Sequence, residues 1–373
     1  MENSVILITC LSLAIYAYFI SRYLLANFKV KNLLNTTESQ ISVAVIIPFR
    51  NEVNNIEPLT QSLFEQEYSN NLLEIIFVDD HSTDQSLTVL KARCKTSPFR
   101  CKILSLSTEV GKKAALKKGV EASVSNYIIT SDADCTMKTK WVATMVSYFS
   151  NNKSMIIGPV RFKTGSSIFK DIQQTELSAI LACTAGAVFI NKPISCNGAN
   201  LAYTRTLYDK IKPYELHTNI ASGDDVFFLF EAKKILNPLK IGFASSALAV
   251  VKTSASNQLL PFIHQRVRWA RKSRYFDDWE SKKFGIVVFG INVLLLLIMI
   301  YSIFNHEVFW IFCSCFLLKL FVDYFLLLST HQWNPVKNSF LNSILLSLIY
   351  PLYLLSIALL SLLLSNKWKG RNL

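Results

Sequence analysis

Four stretches, at about 4–21, 284–304, 308–328 and 340–364, are each apolar over close to the roughly 20 residues that a helix needs to cross a bilayer. Between them, 29–283 carries the mixture of charged and apolar residues of a water-facing domain. The 51% hydrophobic content of the 373 residues is therefore concentrated, not spread. The sequence predicts a multi-pass integral membrane protein. It comprises an anchor at 1–28, a water-facing domain at 29–257, an amphipathic interfacial segment at 258–283 and a membrane region of two to three segments at 284–373.

Val5 to Ile20 has no basic region before it and no small-x-small cleavage site after it, which favours an uncleaved anchor over a signal peptide. Arg22, Lys29 and Lys31 follow it, and Arg266, Arg268, Arg271, Lys272, Arg274, Lys282 and Lys283 precede the second stretch. Cytoplasmic loops collect such residues, so the 29–283 region is expected on the cytoplasmic side. Three crossings after residue 283 would put Lys367, Lys369 and Arg371 on the opposite face, against that rule. Pro351, midway along the last stretch, then marks a segment that is kinked, re-entrant or interfacial. Much of the net charge of +13 gathers beside the membrane stretches, without any groove-reading motif. That points to membrane lipid headgroups as partners and away from nucleic acid. Eight cysteines without a C-x-x-C pair, and five histidines without metal-ligand spacing, argue against a structural zinc site or a disulfide framework.

Ile41 to Pro48 is a β-branched run stopped by proline, and Leu73 to Val78 is a second strand ending in Asp79-Asp80. Lys102 to Leu106 and Tyr127 to Thr130 are two more, the last running into Ser131-Asp132. Helical patterns fall between, near 84–94 and over Lys112 to Ser123. This alternation predicts an α/β fold with a mostly parallel sheet covered on both faces. Ligands collect at the carboxyl ends of such strands, where Arg50-Asn51-Glu52, Asp79-Asp80 and Asp132 with Asp134 converge on one rim.

Asp132-Ala133-Asp134 sets two carboxylates at a strand end, where both can reach one hard cation. Mg²⁺ or Mn²⁺ held this way keeps positions open for a diphosphate. Alone, the pattern is common in Asp-rich surface turns; its company is more telling. Pro48-Phe49-Arg50-Asn51-Glu52, Val78-Asp79-Asp80-His81-Ser82-Thr83-Asp84, Gly111-Lys112, Ser131 to Asp134, Gly223-Asp224-Asp225 and Gln265-Arg266-Val267-Arg268-Trp269 follow in order. This series, over about residues 41–275, resembles the family 2 glycosyltransferases of GT-A fold. It is most similar to their membrane-bound branch, which includes cellulose, hyaluronan, poly-N-acetylglucosamine and ceramide glucosyl synthases.

The resemblance implies a nucleotide-sugar donor, a UDP-sugar foremost, bound by Pro48, Asn51, Glu52, Asp80, Lys112 and Asp132. Glu52 would lie near the ribose or base, Asp80 would accept a hydrogen bond from the base, and Lys112 would offset diphosphate charge. Asp132 and Asp134 would hold the metal. Simpler roles stand beside these: a helix N-cap for Asp79-Asp80, with Ser82 or Asp84 also suited to it, and a solvated face shared with Lys113, Lys117 and Lys118 for Lys112. The family's general base falls on Asp225, with Asp224 as the neighbour that raises its pKa. The same position suits the N-cap of a helix opening at Val226. Gln265, Arg268 and Trp269 would serve the pyrophosphate and the acceptor, Arg as a fork and Trp as an apolar face. Read without the family, the same helix between Leu259 and Phe276 is amphipathic and interfacial, a reading compatible with roofing the site. Ser195 to Asn200 resembles the family's acceptor-side segment, which gives Asn200 an acceptor role.

The expected activity is inverting transfer to a lipid-linked or glycan acceptor in cell-envelope glycan or glycolipid synthesis. A processive polysaccharide synthase is the alternative, although four membrane stretches give little material for a private channel. An inactive nucleotide-binding membrane scaffold would be expected to lose at least one of Asp132, Asp134 and Asp225, and all are present. A transporter is disfavoured, since Lys319 and Asp323 sit four residues apart and can pair on one helix face.

Overall fold

A computed structural model of the chain describes residues 2–29, 41–163, 167–216, 223–363, 367–368 and 371–372. Lys31 and Lys369, two of the basic flanking residues, lie outside these. From the N-terminus, α1 (Glu2–Lys29) precedes β1 (Val43–Phe49), α2 (Val53–Phe64), β2 (Leu73–Asp79), α3 (Ser86–Cys94), β3 (Arg100–Ser105) and α4 (Lys112–Glu121). There follow β4 (Tyr127–Thr130), β5 (Thr136–Met137), α5 (Trp141–Ser147), β6 (Met155–Ile157), β7 (Val160–Phe162), α6 (Ile168–Phe189), β8 (Leu201–Thr204) and α7 (Arg205–Ile211). The chain continues through α8 (Asp224–Ile235), β9 (Ile241–Phe243), β10 (Val251–Thr253), α9 (Leu259–Lys272), α10 (Trp279–Ser302), α11 (His306–Leu328) and α12 (Ser339–Leu363).

The chain divides into two compact units. The α/β unit, Asn32–Lys163 and Ser195–Ser254, holds a seven-stranded sheet in the order β3-β2-β1-β4-β8-β6-β9. Strands β3, β2, β1 and β4 run parallel, while β8 is antiparallel to both β4 and β6. Every residue of β1 and β2 is buried, as expected of central strands covered on both faces. Pro48 does not stop β1, since it pairs with Val78 one residue before the strand's end, where the hydrogen-bond ladder is about to finish. A second sheet, β5-β10-β7, lays Thr253 at the end of β10 near the loop that leaves β4.

The helical unit gathers Met1–Lys31, Thr164–Ile194 and Ala255–Leu373. Residues 167–194 therefore pack with the apolar helices, although the sequence reading places them inside the 29–257 stretch. The reason is a small-residue face on α6: Ala182, Ala185, Gly186 and Ala187 are buried, and a Cβ on Gly186 would lie 2.6 Å from Tyr23 Cα of α1. Four helices are long and apolar enough to cross a membrane: Ile6–Lys29, Trp279–Ser302, His306–Leu328 and Ser339–Leu363. The last runs as one helix with Pro351 inside it, not as a re-entrant pair. Lys319 and Asp323 do pair, at 2.7 Å, and the Tyr16 hydroxyl donates to the same carboxylate.

Candidate active site

The loops leaving β1 and β2 are tied together by their own polar groups. Asn51 adopts a left-handed backbone (φ 53°), a conformation Asn tolerates better than most residues. Its N–H donates to Ser82 Oγ at 3.1 Å, and its Oδ1 accepts from Thr83 N at 2.8 Å. Glu52 N donates to Ser86 Oγ at 2.8 Å, and its carboxylate accepts from Asn55 Nδ2 at 2.6 Å. Asp84 bridges the loops, accepting from Ser86 N at 3.0 Å and Val53 N at 3.2 Å, while Asp79 closes a turn with Ser82 N at 3.0 Å.

Asp80 is turned inward. It is only 2% exposed, and its Oδ1 meets His81 Nδ1 at 3.2 Å. The other ring nitrogen of His81 meets the Ser107 carbonyl at 3.1 Å. Two acceptors facing the two ring nitrogens favour the doubly protonated imidazolium. The Ser107 carbonyl first, then Asp80, raise the His81 pKa above its ordinary value.

Across the rim, the N-terminus of α4 meets the loop after β4. Gly111 (φ 99°) starts α4, and Lys112 Nζ pairs with Asp132 Oδ1, both side chains about a third exposed or less (28% and 35%). Burial pulls the Lys112 ammonium down, but Asp132, Asp224 and Asp225 more than offset it, so its pKa stands above the usual lysine value. Asp134 is half-buried, and Thr253 Oγ1 donates to its Oδ2 at 2.7 Å. Burial, with the carboxylates of Asp132 and Glu52 adding to it, raises the Asp134 pKa.

Gly223 (φ 94°) opens α8, whose first turn carries Asp224 and Asp225 at the positive end of the helix dipole. Burial raises Asp224, which Lys112 partly counters. Asp225 Oδ2 accepts from Gly198 N at 2.8 Å and Oδ1 from Val226 N at 2.8 Å. A Cβ on Gly198 would lie 3.4 Å from Asp225 Cβ and 3.7 Å from Lys112 Nζ. Electrostatic contacts thus bring Glu52, Lys112, Asp132, Asp134, Asp224 and Asp225 to one rim, of which the strand-end argument covers only Glu52, Asp132 and Asp134.

Asn200 is different from its expected acceptor role. It is 0% exposed; Nδ2 donates to Pro159 O and Ala249 O, both at 2.8 Å, and Oδ1 accepts from Trp141 Nε1 at 3.1 Å. With no surface to offer a sugar, it shapes the loop from within. Pro48 is likewise buried in β1. Gln265, Arg268 and Trp269 lie on α9 in the helical unit. The residues that sequence reasoning missed are Thr253 and the Gly198 N–H, partners 119 and 27 residues from the groups they hold, which no local pattern signals.

Among the described residues no group of three or more His, Cys, Asp or Glu side chains is placed to hold a metal. Asp132 and Asp134 nonetheless fit a divalent cation. Asp134 is a half-buried carboxylate crowded by like charge, and a cation would relieve that crowding, with the remaining positions left to a donor's phosphate oxygens.

Residues 44–223 match the family model of Glycosyl transferase family 2. Over 146 residues the chain is 25% identical to an undecaprenyl-phosphate 4-deoxy-4-formamido-L-arabinose transferase of Pectobacterium atrosepticum, covering 39% of this chain and 44% of that one. Over 242 residues it is 26% identical to an N-acetylglucosaminyltransferase of Rhizobium meliloti, covering 62% and 55%. The chain thus spans about half the length of these curated relatives. A mannosyltransferase from Pyrobaculum calidifontis, solved with GDP-mannose and Mn²⁺, superposes with a TM-score of 0.56 at 15% identity, over 93% of this chain and 99% of that one. That likeness is one of fold, and it agrees with the mixed α/β GT-A architecture with a mostly parallel sheet.

Proposed function

We propose, from the match of residues 44–223 to the family 2 glycosyltransferase model, that the chain moves a sugar from a nucleoside-diphosphate donor to a lipid-linked acceptor at the cytoplasmic face of a membrane. The observation that carries this reading is Asp225, fixed by the Gly198 N–H beside the Lys112 ammonium. A base for the acceptor and a cation for the leaving group then stand side by side.

In this mechanism the acceptor hydroxyl or phosphate oxygen attacks the anomeric carbon, and the bond from that carbon to the diphosphate oxygen breaks. Where the nucleophile is a hydroxyl, Asp225 takes its proton. Attack opposite the leaving group inverts configuration. Lys112 neutralises charge on the departing diphosphate. Asp132 and Asp134 would hold Mg²⁺ or Mn²⁺, whose charge would support the same leaving group. Glu52 and Asp80 lie on the nucleoside side, at the ends of β1 and β2. The four apolar helices and the relative named for an undecaprenyl-phosphate acceptor support a lipid acceptor.

The test is a panel of nucleotide sugars offered to the purified protein in lipid, reading metal-dependent release of nucleoside diphosphate and product length. One donor should be consumed, with a single sugar added. Release from none of them removes the reading; a long polymer replaces it with a processive synthase.

A further inference from the structure

Helix α9 carries Gln265, Arg268 and Trp269, and among them sits Arg266, an arginine only 4% exposed. Its Nε and Nη2 donate to Glu176 Oε2 of α6 at 3.0 and 2.7 Å, and its Nη1 donates to Gln265 Oε1 at 2.7 Å. The guanidinium carbon lies 4.3 Å from the centre of the Trp269 ring and 4.6 Å from that of Phe262. The other oxygen of Glu176 accepts from the Tyr353 hydroxyl of α12 at 3.0 Å, and the Tyr353 ring stacks on Phe262 at 5.8 Å. Three helices of the helical unit are fastened to one buried ion pair.

Such a pair is a poor device for stability alone, because desolvation consumes much of the attraction and apolar side chains of equal volume often serve as well. What it supplies is orientation. Arginine has only donors, so the Gln265 amide must present its oxygen to Arg266, which leaves the NH₂ as the end for an acceptor such as a phosphate oxygen. The flat guanidinium likewise sets the plane of Trp269. We propose that Glu176, Arg266 and Tyr353 form a positioning clamp that fixes Gln265 and Trp269 in the geometry used for sugar transfer. This rests on the function proposed above together with the family resemblance, which is what gives Gln265 and Trp269 a part at the pyrophosphate and the acceptor.

The test uses the full chain in lipid, with the nucleotide sugar that the wild type consumes. Glu176→Gln, Arg266→Lys and Tyr353→Phe are compared with Trp269→Phe, and each is combined with it. Rates are taken per folded molecule, and unfolding temperatures are measured in parallel. Lysine keeps the charge but not the fork, and Tyr353→Phe keeps the ring stack and loses only the hydroxyl, so it remains informative if Glu176→Gln does not fold. The clamp predicts a fall in kcat/KM on the order of ten- to a hundredfold for Glu176→Gln and Arg266→Lys, the scale of a slightly misplaced reacting group. It predicts a smaller fall in the same direction for Tyr353→Phe. In the Trp269→Phe background each change should cost much less, because the residues act through one another. Wild-type kcat/KM in Tyr353→Phe and Arg266→Lys, or effects that simply multiply in the double variants, overturns the clamp. A wild type that transfers no sugar removes the underlying reading instead.

Discussion

Asn200 and Asp134 are both short polar side chains near the rim, and their surroundings give them opposite tasks. Replacing Asn200 with alanine leaves the Trp141 indole N–H and two carbonyls without partners. The expected loss is about 2–4 kcal/mol, measured by denaturant unfolding of the purified protein. Lost transfer with unchanged stability would return Asn200 to an acceptor role. Asp134 is held above the ordinary carboxylate pKa by burial and like charge. A cation takes only the ionised form, so Mn²⁺ affinity should fall about tenfold per pH unit below that raised pKa, starting at a higher pH than for an exposed aspartate. Thr253→Val removes a bond that lowers the pKa and should move the fall to still higher pH, as read by calorimetry without donor. In the unbound protein the native carboxyl binds the proton more tightly than the unfolded one. Asp134 therefore costs stability as pH rises through the window between the ordinary and the raised pKa. The carboxylates themselves were legible because strand-end position is a local property of sequence. Thr253, contributed by a different strand, was not.

At the scale of elements, β1, β2 and β4 declared themselves through apolar, β-branched runs leading into acidic loops, and β1 kept its proline inside because the ladder there was nearly finished. Helix α6 did not declare itself as part of the helical unit. Lys170, Asp171 and Glu176 dilute its apolar signal, and its contact face is made of alanine and glycine, which a hydropathy window scores weakly. Gly186 lets α6 approach the α1 backbone closely, so Gly186→Leu should separate the two helices. The expected result is a lower unfolding temperature in lipid and a shift of the folded fraction on gel filtration. A variant as stable as wild type would show that the approach is not needed. Helix α8 illustrates the converse: an acidic first turn was readable both as a cap and as a catalytic pair, and the structure puts Gly223 at the N-cap with both acids inside the first turn.

For the whole molecule, the basic flanks predict the α/β unit on the cytoplasmic side. Exposed Lys91, Lys95 and Arg100 offer trypsin sites there. Inverted vesicles should therefore be cleaved within this unit, and right-side-out vesicles should be protected. The reverse pattern would place the unit on the other face. The division into two units was legible only in outline, since hydropathy marks long apolar helices and is blind to one that joins them through small residues. The central claim is that Asp225 acts as the base at a sugar-transfer site. Its most direct test is transfer by Asp225→Asn in lipid with saturating donor and a hydroxyl acceptor. The amide keeps the shape but cannot take the proton, so the rate should fall by roughly 10² to 10⁴ while donor affinity is retained; transfer at the wild-type rate would contradict the claim.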